Sequence, residues 1–402
     1  MYIQVTEETL FNCFSVTKAV AAFAVHLLIQ RGLVSLEDPV CKHWPAFAQN
    51  NKENITISHV LNHCAGLATA GFDSLLADPF ITSDADAMMY LMAESTADCP
   101  PGTEVKYHAL SFGWLVAGIV KSVSGVSLRD FVRENIAEAI HMEEEMMIGL
   151  GDGGTKDLSI APRLATLVLG RPSAASPPSS SKEKDEEKEG DVAGLTNGNS
   201  RRPPSSPSVL ANPTFYNHPS KLAVSSNPGA GVILPRLYYV GLREAEIPAA
   251  NGHFSAQALA FFYDKLGATA TESSSSLQKR KEEFRGWKNG WAYSILEKSR
   301  KRGEAKVHGV EGESLLQGRS GSFVDGFTLF PSSDESSGVI TLGHAGLGGS
   351  VAFVRIDVDT GDSLAVALTL NRLSTENNDT TYRILRTIYK ELNIAIPSTY
   401  NQ

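Results

Sequence analysis

The order of predicted helices and strands along the chain constrains its fold most. Helical spacing of apolar residues dominates the first two-thirds of the sequence, whereas strand-like apolar runs crowd into the last third. The pattern predicts helices at 15–31, 57–62, 111–124, 128–140, 255–266 and 379–392. It predicts strands at 291–296, 326–330, 339–342, 351–357 and 364–370. This order is typical of an α+β protein in which helices back an antiparallel β-sheet.

The composition of two segments interrupts this pattern. Residues 171–209 are rich in Pro and Ser and contain a run of charges at 182–189, so they bury too little apolar surface to offset chain entropy. We predict a disordered insertion at 171–209, a second, low-complexity insertion at 271–285 and a minor loop at 331–337. Because the chemical motifs lie on both sides of these segments, we interpret residues 1–402 as a single domain.

Charge and cysteine content exclude several classes of function. A net charge of −9 without a basic stripe argues against nucleic acid as a partner. The four cysteines, Cys13, Cys41, Cys64 and Cys99, lack zinc-ligand spacing and are predicted to be reduced thiols. The longest apolar stretch, 19–29, is too short for a membrane span. No signal or transit peptide is recognised, so we expect an intracellular protein, or a chain whose start is missing.

The first motif pairs a hydroxyl with an amine at the start of the first predicted helix. Ser15 and Lys18 are three residues apart, which places them on one helix face with about 5–6 Å between their Cβ atoms. Serine needs a base to act as a nucleophile, and a buried lysine with a lowered pKa can supply one. The alternative is an ordinary helix start with Ser15 as N-cap, since the same string recurs at 179–182, 181–184 and 276–279. Only the copy at Ser15 opens an apolar helix.

The second motif is a tyrosine that precedes an apolar helix. Tyr107 follows a Pro-Gly turn at 101–102 and comes just before the helix predicted at 111–124. A phenol near an ammonium group loses its proton more easily, which would make Tyr107 a second base. The alternative is a tyrosine packed at a helix entry with its hydroxyl paired. We interpret its neighbour, His108, as a surface or packing histidine.

The third motif is a glycine-rich segment at 342–350, between two predicted strands. Its glycines would let a substrate approach the strand edge, and His344 offers a hydrogen bond or a partial positive charge. Taken alone, the segment is more typical of a glycine-rich hairpin than of a binding site.

In this order, the three motifs resemble those of the serine β-lactamase and penicillin-binding-protein superfamily, which has an S-x-x-K pair, a tyrosine motif and a K-T-G or H-x-G strand. Four further stretches are similar to that superfamily: 11–18, 38–40, 59–67 and 343–350. Residues 107–115 and 247–253 resemble the β-lactamase-like domain that some plant proteins have behind an atypical kinase domain. The resemblance implies an antiparallel sheet flanked by helices, with an all-helical subdomain.

The resemblance also implies a role for each motif. Ser15 would attack an acyl carbonyl and form an acyl-enzyme, with Lys18 and Tyr107 sharing the role of general base. The backbone N–H groups of Ser15 and of Leu347, which follows Gly346, would form the oxyanion hole. No metal or organic cofactor is implied.

Two departures from the superfamily pattern bear on the substrate. In the implied arrangement His344 lies across the cleft from Ser15, where it replaces the lysine that pairs with a substrate carboxylate. Ala109 stands where many members have Asn. Both changes resemble the esterase-like branch and argue against β-lactamase activity. The superfamily also has a helix and strands before the S-x-x-K helix, so we expect that these are missing here, which would leave an unpaired sheet edge.

We therefore predict a hydrolase of carboxylic esters, or of small amides and peptides, that acts through Ser15. The alternative is a catalytically inactive member of the same fold that serves as a scaffold or binding module, which Ala109 and the insertion at 171–209 favour. A third interpretation, a cell-wall D,D-peptidase, requires export. The sequence names neither the substrate nor a protein partner of the insertion. A fluorophosphonate probe, which reacts with an activated serine, separates the first two interpretations.

Overall fold

The structure is a computed structural model that describes residues 4–77, 79–169, 242–268, 322–330, 338–357, 360–373 and 379–394. Four predicted features lie outside these residues: the insertions at 171–209 and 271–285, the strand at 291–296 and the loop at 331–337.

Helices and strands alternate with short turns over the described residues. The helices are α1 (Thr17–Gln30), α2 (Val40–His43), α3 (Ile57–Leu61), α4 (Phe72–Ala77), α5 (Ala85–Glu94), α6 (Ser111–Ser124), α7 (Leu128–Val132), α8 (Ala256–Ala268) and α9 (Asp379–Glu391). The strands are β1 (Phe11–Asn12), β2 (Met146–Ile148), β3 (Val168–Leu169), β4 (Gly252–Phe254), β5 (Ser322–Val324), β6 (Phe327–Phe330), β7 (Val339–Ala345), β8 (Val351–Asp357), β9 (Ser363–Leu368) and β10 (Arg372–Leu373).

The main sheet is antiparallel, with the strand order β5-β6-β7-β8-β9. One face packs on α9, where Phe353 of β8 contacts Leu385 and Tyr389 in one buried cluster. The other face packs on α8 and α1, and the rings of Phe23 and Phe262 meet edge to face at 5.3 Å. Apolar burial on both faces stabilises these layers. The predicted α+β class, an antiparallel sheet flanked by helices, is confirmed.

The predicted all-helical part lies between β1 and β2, where the described chain forms helices and turns. The helix predicted at 111–124 has its predicted bounds as α6 and ends at Gly125, whose φ of 82° lies in the left-handed region that favours glycine. The helix predicted at 57–62 forms as α3 behind Thr56, whose Oγ1 accepts the N–H of His59 at 3.2 Å.

The helix predicted at 128–140 is less regular than expected. After α7 the chain continues as a π-helix over Arg133–Ala137 and a 3-10 turn over Glu138–Ile140. Asn135 explains part of this change, because its Nδ2 donates to the Phe131 carbonyl oxygen at 3.0 Å and competes with the helical main-chain ladder.

A second, short sheet has the order β1-β4-β2 and holds the chain just before α1. Its first pair is antiparallel and aligns Phe11 with Phe254 and Asn12 with His253. Strands of two or three residues show no alternation of apolar and polar residues, which is why the sequence did not predict them. These short strands position the site, since they bring the segment 247–254 alongside the residues that precede Ser15.

The α1 helix passes through the core. Its side chains are buried from Thr17 to Leu28. Within the described part of the chain, no single helix is long and apolar enough to cross a membrane, although the bent pair Ser111–Ser124 and Leu128–Ile140 would be by length and composition. All four cysteines lie in the described part, and none forms a disulfide.

Candidate active site

Ser15 lies in a 3-10 turn, Phe14–Val16, that leads directly into α1. Phe14 has a φ of 45°, a left-handed conformation that is rare for a bulky residue and costs free energy. Two buried hydrogen bonds stabilise the turn: Asn12 Oδ1 accepts the Phe14 N–H at 3.0 Å, and Thr17 Oγ1 donates to the Phe14 carbonyl oxygen at 2.5 Å. The turn leaves Ser15 partly exposed between buried neighbours.

Lys18 is fully buried, and its amine contacts three oxygen atoms. Nζ lies 3.1 Å from Ser15 Oγ, 2.8 Å from the Ala109 carbonyl oxygen and 2.9 Å from the Ala249 carbonyl oxygen. Burial lowers the pKa of Lys18 well below its usual value of 10.5, because the charged form loses hydration. The predicted proximity of Ser15 and Lys18 is present, although Ser15 lies in the 3-10 turn before α1 and not in the helix itself.

The two carbonyl groups set the direction in which the amine can act. A neutral amine has two N–H bonds and one lone pair, whereas a carbonyl oxygen only accepts hydrogen bonds. If the Ala109 and Ala249 oxygens accept both N–H bonds, the lone pair is left for the third neighbour, the Ser15 hydroxyl. The geometry therefore allows neutral Lys18 to take the proton of Ser15.

Glycine and asparagine residues hold the two carbonyl groups in place. Gly113 of α6 packs so closely on the 248–249 segment that a Cβ atom there would lie 2.7 Å from Pro248 C and closer still to Ala249 N. Asn12 Nδ2 donates to Asn251 Oδ1 at 3.2 Å. The backbone N–H of the next residue, Gly252, donates to Thr17 Oγ1 at 2.9 Å. The sequence signal for this support was the likeness noted at 107–115 and 247–253, which did not reveal its purpose.

Tyr107 packs its ring against the amine of Lys18, with Nζ 4.9 Å from the ring centroid. Burial raises the pKa of Tyr107 above its usual value of 10.0, and the nearby Ser15 hydroxyl opposes this rise only in part. No hydrogen bond of normal geometry links the Tyr107 hydroxyl to a described residue. The expectation that a nearby ammonium group makes this phenol more acidic is wrong, because loss of hydration raises its pKa.

Two buried histidines, His63 and His108, lie beside the tyrosine, and neither was predicted as a site residue. The ring of His63 lies 4.9 Å from that of Tyr107, and its Nδ1 accepts the backbone N–H of His108 at 3.1 Å. His108 is the predicted packing histidine: its Nε2 accepts the Leu67 N–H at 3.1 Å, and burial lowers its pKa to about 4. The likeness at 59–67 was the available signal for His63.

His344 lies near the end of β7, with its ring centroid 6.4 Å from that of Tyr107. Its Nδ1 lies 2.8 Å from the Ala345 carbonyl oxygen, whereas Nε2 is buried and has no partner among the described residues. Burial is the main cause that lowers the pKa of His344, to about 3. At neutral pH the ring is therefore uncharged. Of the two roles that the sequence left open, a hydrogen bond or a partial positive charge, this favours the hydrogen bond.

The turn after β7 lies against the Ser15 turn. A Cβ atom on Gly346 would overlap the Cys13 carbonyl oxygen and lie 3.3 Å from the Cys13 carbonyl carbon, so only glycine permits this approach. The Gly346 N–H donates to the Ser350 carbonyl oxygen at 2.7 Å and closes the turn that Leu347 begins. The structure thus brings Ser15, Lys18, Tyr107, His344 and the Gly346–Leu347 turn of the sequence analysis into one region. The described residues of the chain contain no cluster of three or more His, Cys, Asp or Glu side chains that could hold a metal ion.

The chain is similar to several known proteins. The family model described as Beta-lactamase matches residues 2–388. The esterase/beta-lactamase LipL of Mycobacterium tuberculosis is 36% identical over 130 residues, which cover 32% of this chain and 28% of that protein. The esterase EstB of Burkholderia gladioli is 30% identical over 153 residues, covering 34% of this chain and 38% of that protein. The chain therefore spans less than two thirds of the length of these curated relatives.

Solved structures share the fold over most of the chain. A penicillin-binding-protein homologue from Caulobacter crescentus is 26% identical, with a TM-score of 0.56 over 92% of this chain and 79% of that one. A family VIII carboxylesterase aligns with a TM-score of 0.61 at 20% identity, over 95% of this chain and 84% of that one, which shows the fold alone. The predicted β-lactamase and transpeptidase type of fold is confirmed.

Proposed function

The chain belongs to the Beta-lactamase family of serine hydrolases, and we propose that it hydrolyses carboxylic esters or small amides through an acyl-enzyme on Ser15. The observation that supports this proposal most is the set of contacts that the Lys18 amine makes. Two backbone carbonyl groups and the Ser15 hydroxyl occupy its three polar contacts, and burial holds its pKa low. A neutral amine directed at a hydroxyl is the base that a serine nucleophile requires.

The first half-reaction forms the acyl-enzyme. Lys18 Nζ takes the Ser15 proton while Ser15 Oγ bonds to the acyl carbon, and the carbonyl π electrons move onto the substrate oxygen. We assign stabilisation of that oxyanion to the backbone N–H groups of Ser15 and Leu347. Collapse of the intermediate restores the carbonyl, breaks the bond to the leaving oxygen or nitrogen, and requires a proton for that atom.

Tyr107 is suited to deliver that proton. Its raised pKa keeps the phenol protonated at neutral pH, so it is a donor rather than the second base that the sequence suggested. Tyr107 gives its proton to the leaving group and regains one from the Lys18 ammonium, beside which its ring lies. Water then attacks the acyl-enzyme by the reverse steps: Tyr107 takes its proton while passing its own to neutral Lys18, and the water oxygen bonds to the acyl carbon. When this second intermediate collapses, the bond to Ser15 Oγ breaks and the Lys18 ammonium returns a proton to Ser15.

Two features favour esters over β-lactams as substrates. His344 is neutral and stands where a lysine would pair with a substrate carboxylate, so the site lacks that positive charge. Ala109 supplies its main-chain oxygen to Lys18 but has no amide side chain to orient a substrate. The names of two relatives, an esterase/beta-lactamase and an esterase, are consistent with this choice.

The test is hydrolysis of p-nitrophenyl butyrate by the full chain and by Ser15→Ala and Lys18→Met. We expect kcat/KM to fall at least about a thousandfold in both variants, because removing either member of the pair removes acylation. Ser122→Ala and Lys156→Met change exposed residues of the same types and serve as matched controls. Circular dichroism checks that each variant is folded.

A folded wild type that is no faster than Ser15→Ala would contradict the hydrolase. It would favour the alternative, a catalytically inactive scaffold or binding module on this fold. The finer likeness to the plant domain behind an atypical kinase, the single-domain interpretation of 1–402 and the absence of a cofactor stay predictions.

A further inference from the structure

One nitrogen of the His344 ring has no role in the contacts described so far. His344 is 2% exposed, and its Nδ1 is occupied by the Ala345 carbonyl oxygen at 2.8 Å. Its Nε2 is buried without a partner among the described residues. Buried polar atoms in folded proteins nearly always have a hydrogen-bond partner. An unpartnered nitrogen next to a candidate active site therefore points to a ligand atom.

The partner of Nδ1 fixes the hydrogen-bonding role of Nε2. A carbonyl oxygen only accepts, so Nδ1 must bear the proton that joins it to Ala345. A neutral imidazole has one N–H, which leaves Nε2 with a lone pair and no proton. His344 therefore offers a hydrogen-bond acceptor, and it cannot donate from this nitrogen without becoming charged in a buried place.

The position of Tyr107 indicates which part of a substrate would meet this acceptor. In the proposed reaction Tyr107 protonates the leaving oxygen, so the leaving alcohol lies on the Tyr107 side of Ser15. His344 is on that side, with the two ring centroids 6.4 Å apart. The Phe323 ring stacks on the Tyr107 ring, with 5.7 Å between their centroids, and gives this side of the site an apolar wall.

We propose that His344 is a specificity-determining residue that presents Nε2 as a hydrogen-bond acceptor to the leaving alcohol. The site would then favour esters whose alcohol has a further O–H or N–H group and reject those whose alcohol has a carboxylate. A carboxylate also only accepts, so it would face the Nε2 lone pair as a buried charge without a partner. This inference rests on the proposed hydrolase function.

Lys18 does not offer such a carboxylate a partner. Its Nζ already contacts Ser15 Oγ and the carbonyl oxygens of Ala109 and Ala249. A substrate carboxylate would have to displace one of these contacts and thereby disturb the base.

The experiment compares three butyrate esters that form the same butyryl-enzyme: 2-hydroxyethyl, 2-methoxyethyl and carboxymethyl butyrate. Because deacylation is common to all three, differences in kcat/KM report acylation alone. We expect kcat/KM for the hydroxyethyl ester to be about tenfold higher than for the methoxyethyl ester, which is the effect of one hydrogen bond in a buried site. The carboxymethyl ester should be slower than the methoxyethyl ester by about a hundredfold.

Variants of the histidine test the assignment to Nε2. His344→Lys replaces the acceptor by a cation and should make the carboxymethyl ester the best of the three. His344→Gln keeps an acceptor oxygen and should keep the wild-type order. The matched control is His141→Lys, the same substitution at an exposed histidine, which should also keep that order.

Two outcomes are distinguishable failures. Equal rates for the hydroxyethyl and methoxyethyl esters, or a preference for the carboxymethyl ester, would overturn the inference while Ser15-dependent hydrolysis of p-nitrophenyl butyrate upheld the proposed function. This ranking needs only wild-type protein, so it stands even if His344→Lys does not fold. Loss of Ser15-dependent hydrolysis for all four esters would overturn the proposed function and this inference together.

Discussion

The Nζ atom of Lys18 lies 2.8 Å from the backbone carbonyl oxygen of Ala109. Many members of the superfamily have an asparagine at this residue, and its absence was one of the reasons to consider an inactive protein. The main chain supplies an acceptor for the amine at the same residue, so the alanine does not leave Lys18 without support. A missing amide side chain is therefore weak evidence against catalysis here.

Substitution of Ala109 tests whether the main-chain oxygen is sufficient. We expect Ala109→Asn to change kcat/KM for p-nitrophenyl butyrate by no more than about threefold, because one added polar contact is worth about 1 kcal/mol or less. Steady-state kinetics with the folded variant measures the effect. A gain of more than tenfold would mean that the amide is needed and that the carbonyl of Ala109 is a poor substitute.

Gly113→Ala tests whether the position of the second carbonyl matters. The new methyl group would push on the Pro248 and Ala249 backbone and move the Ala249 oxygen away from Lys18. We expect the free energy of unfolding to fall by about 2 kcal/mol and kcat/KM to fall at least tenfold.

The matched control for that variant is Gly118→Ala on the same helix. There the methyl group would lie 2.7 Å from Trp44 Cε3, in a part of the core that does not touch Lys18. Its loss of stability should be similar, whereas its kcat/KM should stay close to that of the wild type. Equal loss of activity in both variants would show that general destabilisation, and not the carbonyl, explains the effect.

Asn12→Ala tests the support of the strained Ser15 turn. Asn12 Oδ1 accepts the Phe14 N–H and Nδ2 donates to Asn251, and all three residues are buried. We expect a loss of about 2–3 kcal/mol in the free energy of unfolding, because buried polar groups are left unpaired. Urea denaturation measures the loss, with Asn54→Ala as the control at an exposed asparagine. A loss below about 0.5 kcal/mol would contradict this role.

How much of this site the sequence could predict depends on the range of each interaction. The pair Ser15 and Lys18 and the bounds of α6 follow from helical spacing, so local patterns were enough. The contacts of Lys18 with Ala109 and Ala249 join atoms 91 and 231 residues away, through main-chain oxygens that every residue possesses. No pattern of side chains reveals such a contact.

The prediction that Tyr107 has a lowered pKa was wrong for a related reason. The sequence suggested a phenol near an ammonium group, which lowers a pKa, but it did not show that the hydroxyl is buried, which raises the pKa. Burial of His344 likewise favours one of the two roles left open for it, a hydrogen bond rather than a partial positive charge. Both outcomes depend on packing between distant segments.

Because its histidines are buried, we expect the free energy of unfolding of the protein to fall in acid. Burial lowers the pKa of His108 from 6.5 to about 4, so below pH 6.5 the unfolded chain binds a proton that the folded chain does not. The contribution of His108 is therefore fully present above pH 6.5 and is lost as the pH falls towards 4, by up to about 1.4 kcal/mol for each pH unit.

Urea denaturation at a series of pH values measures this loss. In His108→Gln the free energy of unfolding should depend less steeply on pH between 6.5 and 4, although the variant is less stable at neutral pH because the Leu67 N–H loses its acceptor. The control is His141→Gln, at an exposed histidine. The same slope in wild type and His108→Gln would contradict a neutral, buried His108.

The most direct test of the central claim, a neutral Lys18 that activates Ser15, is the rate at which a fluorophosphonate labels the protein as a function of pH. We predict labelling of wild type that rises with pH and levels off well below 10.5, the usual pKa of a lysine, because the unprotonated amine is the base. Ser15→Ala and Lys18→Arg should not be labelled, since a guanidinium group stays protonated and cannot accept a proton. Labelling of Lys18→Arg at the wild-type rate, or no labelling of folded wild type at any pH, would contradict the claim.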